Sequence, residues 1–135
     1  MRQKLLGLLV LGVGYFGAAA IAAEPSAPAT VKQLMQKDLE GMAGKELVLS
    51  TVEYVPGGAS MPHRHDAQVF VYVLEGELIM QVRNGPSLTL HPGDTFYESP
   101  TDIHQVSANA SKKSPAKILV FMVKNKGAPA TRAAE

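Results

Sequence analysis

The sequence predicts an all-β domain, a sandwich or barrel of short strands. From residue 45 onward β-branched and aromatic residues recur in seven closely spaced runs, 46–55, 68–74, 77–83, 87–90, 95–98, 104–108 and 116–124, the pattern of strands punctuated by turns. The turns Asn84-Gly85-Pro86 and His91-Pro92-Gly93-Asp94 separate them, which favours a sandwich or barrel over a βαβ fold. Two runs, 69–74 and 118–123, are apolar on both faces. Each therefore needs cover on both sides, from a second layer or a dimer interface.

The chain begins Met1-Arg2-Gln3-Lys4, continues through an apolar, small-residue run over 5–19, and reaches Ala20-Ile21-Ala22-Ala23-Glu24-Pro25. A basic start, an apolar middle and an A-x-A site make residues 1–22 a secretory signal peptide, cut at the Ala22/Ala23 bond or one residue later. An uncleaved anchor is the competing reading, because 5–23 is nearly long enough to span a bilayer. Its glycines, alanines and early stop argue against that. With no cysteine in the chain there is no lipidated thiol, disulfide or thiolate ligand. The mature protein is expected to be periplasmic or secreted, with no stable membrane association.

Cleavage leaves 113 residues, one domain with a sizeable core. Loss of Arg2 and Lys4 takes the formal charge from +1 to −1. Lys112-Lys113, in a Ser/Ala/Asn loop, is the sole local basic cluster, so nucleic acid is not an expected partner. Residues 23–44 divide into a Pro/Ala/Ser-rich leader and an arm. In the arm Val31, Leu34, Met35, Leu39 and Met42 fit a short helix or an irregular segment ended by Gly41 and Gly44. The strands occupy a domain over 45–125, and 126–135 is expected as a disordered tail.

The informative motif is His63-Arg64-His65, led in by Gly57-Gly58-Ala59-Ser60-Met61-Pro62 and followed by the apolar run that ends at Leu74. Side chains alternate along a strand, so His63 and His65 share a face and can share one ion. His104, in a later strand, supplies a third imidazole. His91 sits in a turn and is expected to be exposed. Met61, Met80 and Met122 fit core or lining, with a thioether copper contact conceivable only near Met61. No hydrolase, zinc-peptidase or phosphate-loop motif occurs.

These residues resemble the cupins. Gly57, five residues, His63-x-His65 and a strand ending Val73-Leu74-Glu75-Gly76-Glu77 are similar to the first cupin motif; Pro92-Gly93-Asp94 through Pro100, His104 and Asn109 are similar to the second. The resemblance covers about 47–123. It implies a jelly-roll barrel of the double-stranded β-helix type, holding a divalent metal through His63, His65 and His104.

Two departures bear on chemistry. The first motif usually carries a glutamate six residues after its first histidine; that position here is Val69, beside Gln68. Counting by twos from His65 puts Val69, Val71 and Val73 on the metal side and Gln68 away with Phe70 and Tyr72. A bulge near Asp66-Ala67 would reverse this and bring Gln68 inward as a fourth ligand; Gln68 is a candidate on that condition. In the second motif Ser99-Pro100-Thr101-Asp102 is one place out of step and Asn109 one residue late, while His104 keeps its spacing of eleven from Gly93. Asp102 reads as a turn residue. Glu98 is a weaker candidate for a group that supports a ligand or moves a proton.

Three imidazoles suit Fe, Ni, Cu, Zn or Mn in the divalent state, and without a carboxylate the borderline metals are favoured over Mn(II). Two functions follow: a metal-dependent dioxygenase, or lyase or isomerase, acting on a small organic molecule, or a module that binds metal or a small ligand without turnover. Glu98, Tyr97, Gln68 or Arg83 pointing into the cavity would favour the enzyme. A homodimer is expected from the resemblance and the doubly apolar strands.

Overall fold

A computed structural model describes residues 29–134; the expected signal peptide, 1–22, and the leader to residue 28 lie outside the described residues. Among the described residues there is no helix. Ten strands follow one another: β1 (Thr30–Asp38), β2 (Lys45–Tyr54), β3 (His63–Arg64), β4 (Gln68–Glu75), β5 (Leu78–Val82), β6 (Leu88–Leu90), β7 (Thr95–Glu98), β8 (His104–Asn109), β9 (Ala116–Asn125) and β10 (Arg132–Ala133). They form two five-stranded sheets, ordered β1-β2-β9-β4-β7 and β10-β3-β8-β5-β6, and the strands pair antiparallel. The seven runs anticipated from residue 45 onward each become a strand.

Alternation builds the core. Val69, Val71 and Val73 of β4 and Ile118, Val120 and Met122 of β9 are buried between the sheets, against Leu78 and Met80 of β5. Each such side chain contributes about 1.5–3 kcal/mol on leaving water. The other faces of the doubly apolar strands are not covered within one chain: Phe70, Tyr72, Leu74 and Phe121 remain exposed, because two sheets can shield only their facing sides.

Two segments differ from expectation. The arm over 31–42 contains neither helix nor irregular run at its start; Thr30–Asp38 is strand β1, exposed throughout and paired along β2. A register shift between Gln33 and Met35 breaks the period of two, so the apolar residues fall at helix-like spacing although the backbone bonds go to a neighbouring strand. The tail over 126–135 folds back rather than trailing away, and Arg132–Ala133 pairs with β3. Its base is held by Glu46 and Lys124, direct partners across the β2–β9 ladder, both buried and ion-paired. Lys124 Nζ also donates to the Ala128 carbonyl at 2.6 Å, and Gly127 N donates to Glu46 Oε1 at 3.2 Å. The Lys124 ammonium first, then the Gln36 amide, holds the Glu46 carboxyl down at about 2 from an ordinary 4.5.

Two turns use residue types that only their geometry explains. Gly76, after β4, has φ +76°, and a Cβ there would lie 2.6 Å from the Pro115 carbonyl oxygen, so Glu75-Gly76-Glu77 admits no side chain at its centre. Asn109 ends β8 with a buried amide that donates to the Val55 and Ser114 carbonyls at 3.1 and 2.8 Å and accepts from Ser111 N at 2.9 Å. It ties the loop after β2 to the β8–β9 loop. The out-of-step proline segment closes as a turn in which Asp102 Oδ2 accepts from Ser99 N at 2.7 Å.

Candidate metal centre

His63 on β3 lies directly opposite His104 on β8, and His65, two residues on, returns to the same face. The ring centroids are 4.8 Å apart for His63 and His65 and 5.1 Å for His63 and His104. One nitrogen from each imidazole lies within 4.8 Å of the others.

Hydrogen bonds determine which nitrogens are available. His63 Nδ1 contacts the Met61 carbonyl oxygen at 2.7 Å, and His65 Nδ1 contacts that of Ala130 at 2.7 Å. A carbonyl only accepts, so both Nδ1 atoms carry the proton and both Nε2 lone pairs are free to coordinate. Burial is the main cause that holds the His63 imidazole below its ordinary 6.5, with its neighbours His65 and His104 adding to the shift. His104 is 3% exposed, and neither of its ring nitrogens has a hydrogen-bond partner. Leaving a buried polar atom unpaired costs about 1–3 kcal/mol; a metal ion accepting the lone pair removes that cost. The donor set therefore fits a divalent transition metal.

The histidines form one pole of a cavity of about 640 Å³. Its walls are the inner faces of β2, β4 and β9, including Val48, Val69, Ile118, Val120 and Met122, and 130–133 lie along one side. Polar residues interrupt the largely apolar lining, Ser50, Ser60, Thr131 and Arg132 among them, and two further groups bear on its chemistry. The Tyr54 hydroxyl is hydrogen-bonded to Ser107 Oγ at 2.6 Å. Glu98 enters beside the histidines, with Oε1 3.0 Å from His104 Nδ1 and Oε2 3.8 Å from His65 Nε2.

The family profile described as a cupin domain matches residues 50–122, more than half of the chain. The chain belongs to the cupin family. Solved structures agree on the fold. An uncharacterized protein with a double-stranded β-helix domain from Klebsiella pneumoniae superposes with a TM-score of 0.63 at 23% identity, over 82% of this chain and 89% of that one. A cupin domain from Bordetella pertussis gives 0.59 at 18%, over 76% and 99%. The DMSP lyase DddQ from Ruegeria pomeroyi gives 0.57 at 22%, over 65% of this chain and 43% of the lyase. This chain thus spans less than half of that lyase and 54% of the length of an oxalate oxidase it also matches. No curated protein sequence matches the chain.

In this cupin, the expected ligands His63, His65 and His104 come together, whereas Gln68 does not join them. The inward sequence His65, Ala67, Val69 runs unbroken by twos, with Ala67 and Val69 buried. Asp66, at φ +46°, bends the chain without inserting the bulge that would have turned Gln68 inward. Gln68 is exposed instead and its Oε1 accepts from the Tyr97 hydroxyl at 2.5 Å. Tyr97 is on that outer face too, and Arg83 is not among the cavity-lining residues. His91 is exposed as expected, near Glu77 and Asp94. Met61 is 79% exposed and serves through its carbonyl. Sequence reasoning missed the contribution of Ala130, because a backbone carbonyl leaves no trace in residue identity.

The tautomers set the pH dependence. Protonation of a ligating nitrogen displaces a metal, so affinity is expected to fall steeply below about pH 6, with protons released on binding near that pH. The metal-free protein should also lose stability as pH drops below 6.5: His63 is depressed in the folded state, so the unfolded chain takes up its proton first. Metal titrations at stepped pH check the first statement; affinity unchanged down to pH 4 would contradict it.

Proposed function

We propose that this cupin is an exported metalloenzyme that binds a divalent Fe, Ni, Cu, Zn or Mn ion through His63, His65 and His104 and acts on a small organic molecule, as an oxygenase or as a lyase or isomerase. The observation that carries the reading is that neither nitrogen of buried His104 makes a hydrogen bond, at the histidine end of a largely apolar cavity of about 640 Å³. A bound ion would supply Lewis acidity or redox chemistry at that end. The chain's own residues do the rest. Val48, Val69, Ile118 and Val120 exclude water and receive an apolar body, and the Tyr54–Ser107 hydroxyl pair offers a hydrogen bond to a polar substituent. The substrate class that fits has an oxygen-bearing chelating head and a hydrocarbon or aromatic body. Glu98 inside the cavity favours turnover over passive binding, since its carboxylate is the one acidic group lining the cavity.

Export rests on the signal-like start of the sequence. A homodimer forms part of the same reading. A second copy would cover the outer face of the β4-containing sheet, where Phe70 and Tyr97, with ring centroids 5.3 Å apart, stand exposed with Tyr72 and Phe121; such a flat apolar face is self-complementary about a two-fold axis. Sedimentation of the wild type beside Phe70→Lys tests it.

The activity is tested by loading metal-free protein with each ion and screening aryl and alkyl hydroxy acids and diketones for oxygen uptake and for elimination products. Turnover that requires metal and vanishes in His104→Ala is expected. Tight ligand binding without turnover by any loaded form would overturn the enzyme and leave a binding module.

A further inference from the structure

We propose that Glu98 is a fourth metal ligand, supplied from β7 at the place where β4 offers only Val69; this rests on the three-histidine metal reading above. Val69 and Glu98 are direct partners in the β4–β7 ladder. Directly opposed residues on antiparallel strands project to the same face with Cβ atoms about 5 Å apart. Glu98 therefore reaches the space that a longer side chain at Val69 would occupy.

Its surroundings point the same way. Glu98 is 2% exposed, and a carboxylate withdrawn from water needs a compensating charge or donors. Among the described residues it lies within ion-pair distance of His104 and His65. The 3.0 Å separation of Glu98 Oε1 and His104 Nδ1 is not a hydrogen bond, since both His104 nitrogens are without partners. Two donor atoms each about 2.1 Å from one ion, at right angles, are about 3.0 Å apart. The carboxylate oxygen and the imidazole nitrogen stand at the separation expected of two co-ligands of one ion. A carboxylate also makes the site one unit more negative and harder, which moves its preference toward Mn(II) and Fe(II) relative to three imidazoles alone.

The test uses Mn(II), Zn(II) and Co(II) on the full mature chain. Glu98→Gln, nearly isosteric, is expected to weaken Mn(II) by at least about tenfold, to weaken Zn(II) less, and to alter the visible spectrum of the Co(II) form as an oxygen donor is lost. Val69→Glu combined with Glu98→Val returns the carboxylate from the opposite strand and is expected to recover Mn(II) binding that Glu98→Val alone loses. Weaker binding with an unchanged Co(II) spectrum and an unchanged Mn(II)/Zn(II) ratio would overturn the proposal in favour of a group that merely orients His104. Affinities within twofold of the wild type in Glu98→Gln would overturn it as well. Wild type that takes up none of the three ions would overturn the metal reading itself, so the two failures are distinguishable.

Discussion

The His63→Ala/His65→Ala variant is expected to bind no transition metal and to melt at one temperature whether or not Zn(II) is present. For the wild type, an ion at about 100 times its dissociation constant adds about 2.7 kcal/mol to folding, a rise of about 10 °C in Tm for a domain of this size. The variant should lose that increment while keeping most of the metal-free stability, because neither residue belongs to the buried apolar core and their Nδ1 atoms bond the carbonyls of exposed segments. Calorimetry with and without metal reads both quantities. A variant that still shifts with Zn(II) would place the ion elsewhere.

Removal of the chain after Pro129 is the second large effect. The deleted segment holds the Ala130 carbonyl that fixes the His65 tautomer, the Arg132 partner of Asp66, and a side of the cavity. The barrel should survive, since β10 contributes two residue pairs to its sheet and the buried Glu46–Lys124 pair stays in place. Metal affinity is expected to fall by about 10–100-fold, the usual cost of losing a group that orients a ligating histidine. Titration of the truncated protein with the same ion measures it. Unchanged affinity would mean that His65 needs no support from this segment.

Most of the barrel was legible because its signals are local. Alternation along 68–74 and 116–124 assigns inner and outer faces without any knowledge of partners, and the spacing of His63 and His65 places two imidazoles together by parity alone. What escaped depends on pairing across long stretches of sequence. The bulge in β1 scrambled its period. The two residues of β10 are too few to show any period, and Lys124 reveals the anchored tail only once it is known to lie opposite Glu46. Gln68 would face inward only with a bulge at Asp66-Ala67, and the buried Ala67 shows plain alternation instead. Glu98 was visible as a carboxylate at a strand end, but its position opposite Val69 follows from the β4–β7 register, which no local pattern encodes.

The central claim is that the three histidines hold a metal ion, and elemental analysis of the protein, purified without a metal-affinity tag and again after reconstitution, tests it most directly. The account predicts close to one equivalent of a single divalent transition metal per chain. No bound metal, even after reconstitution with each of the five candidate ions at neutral pH, would contradict it.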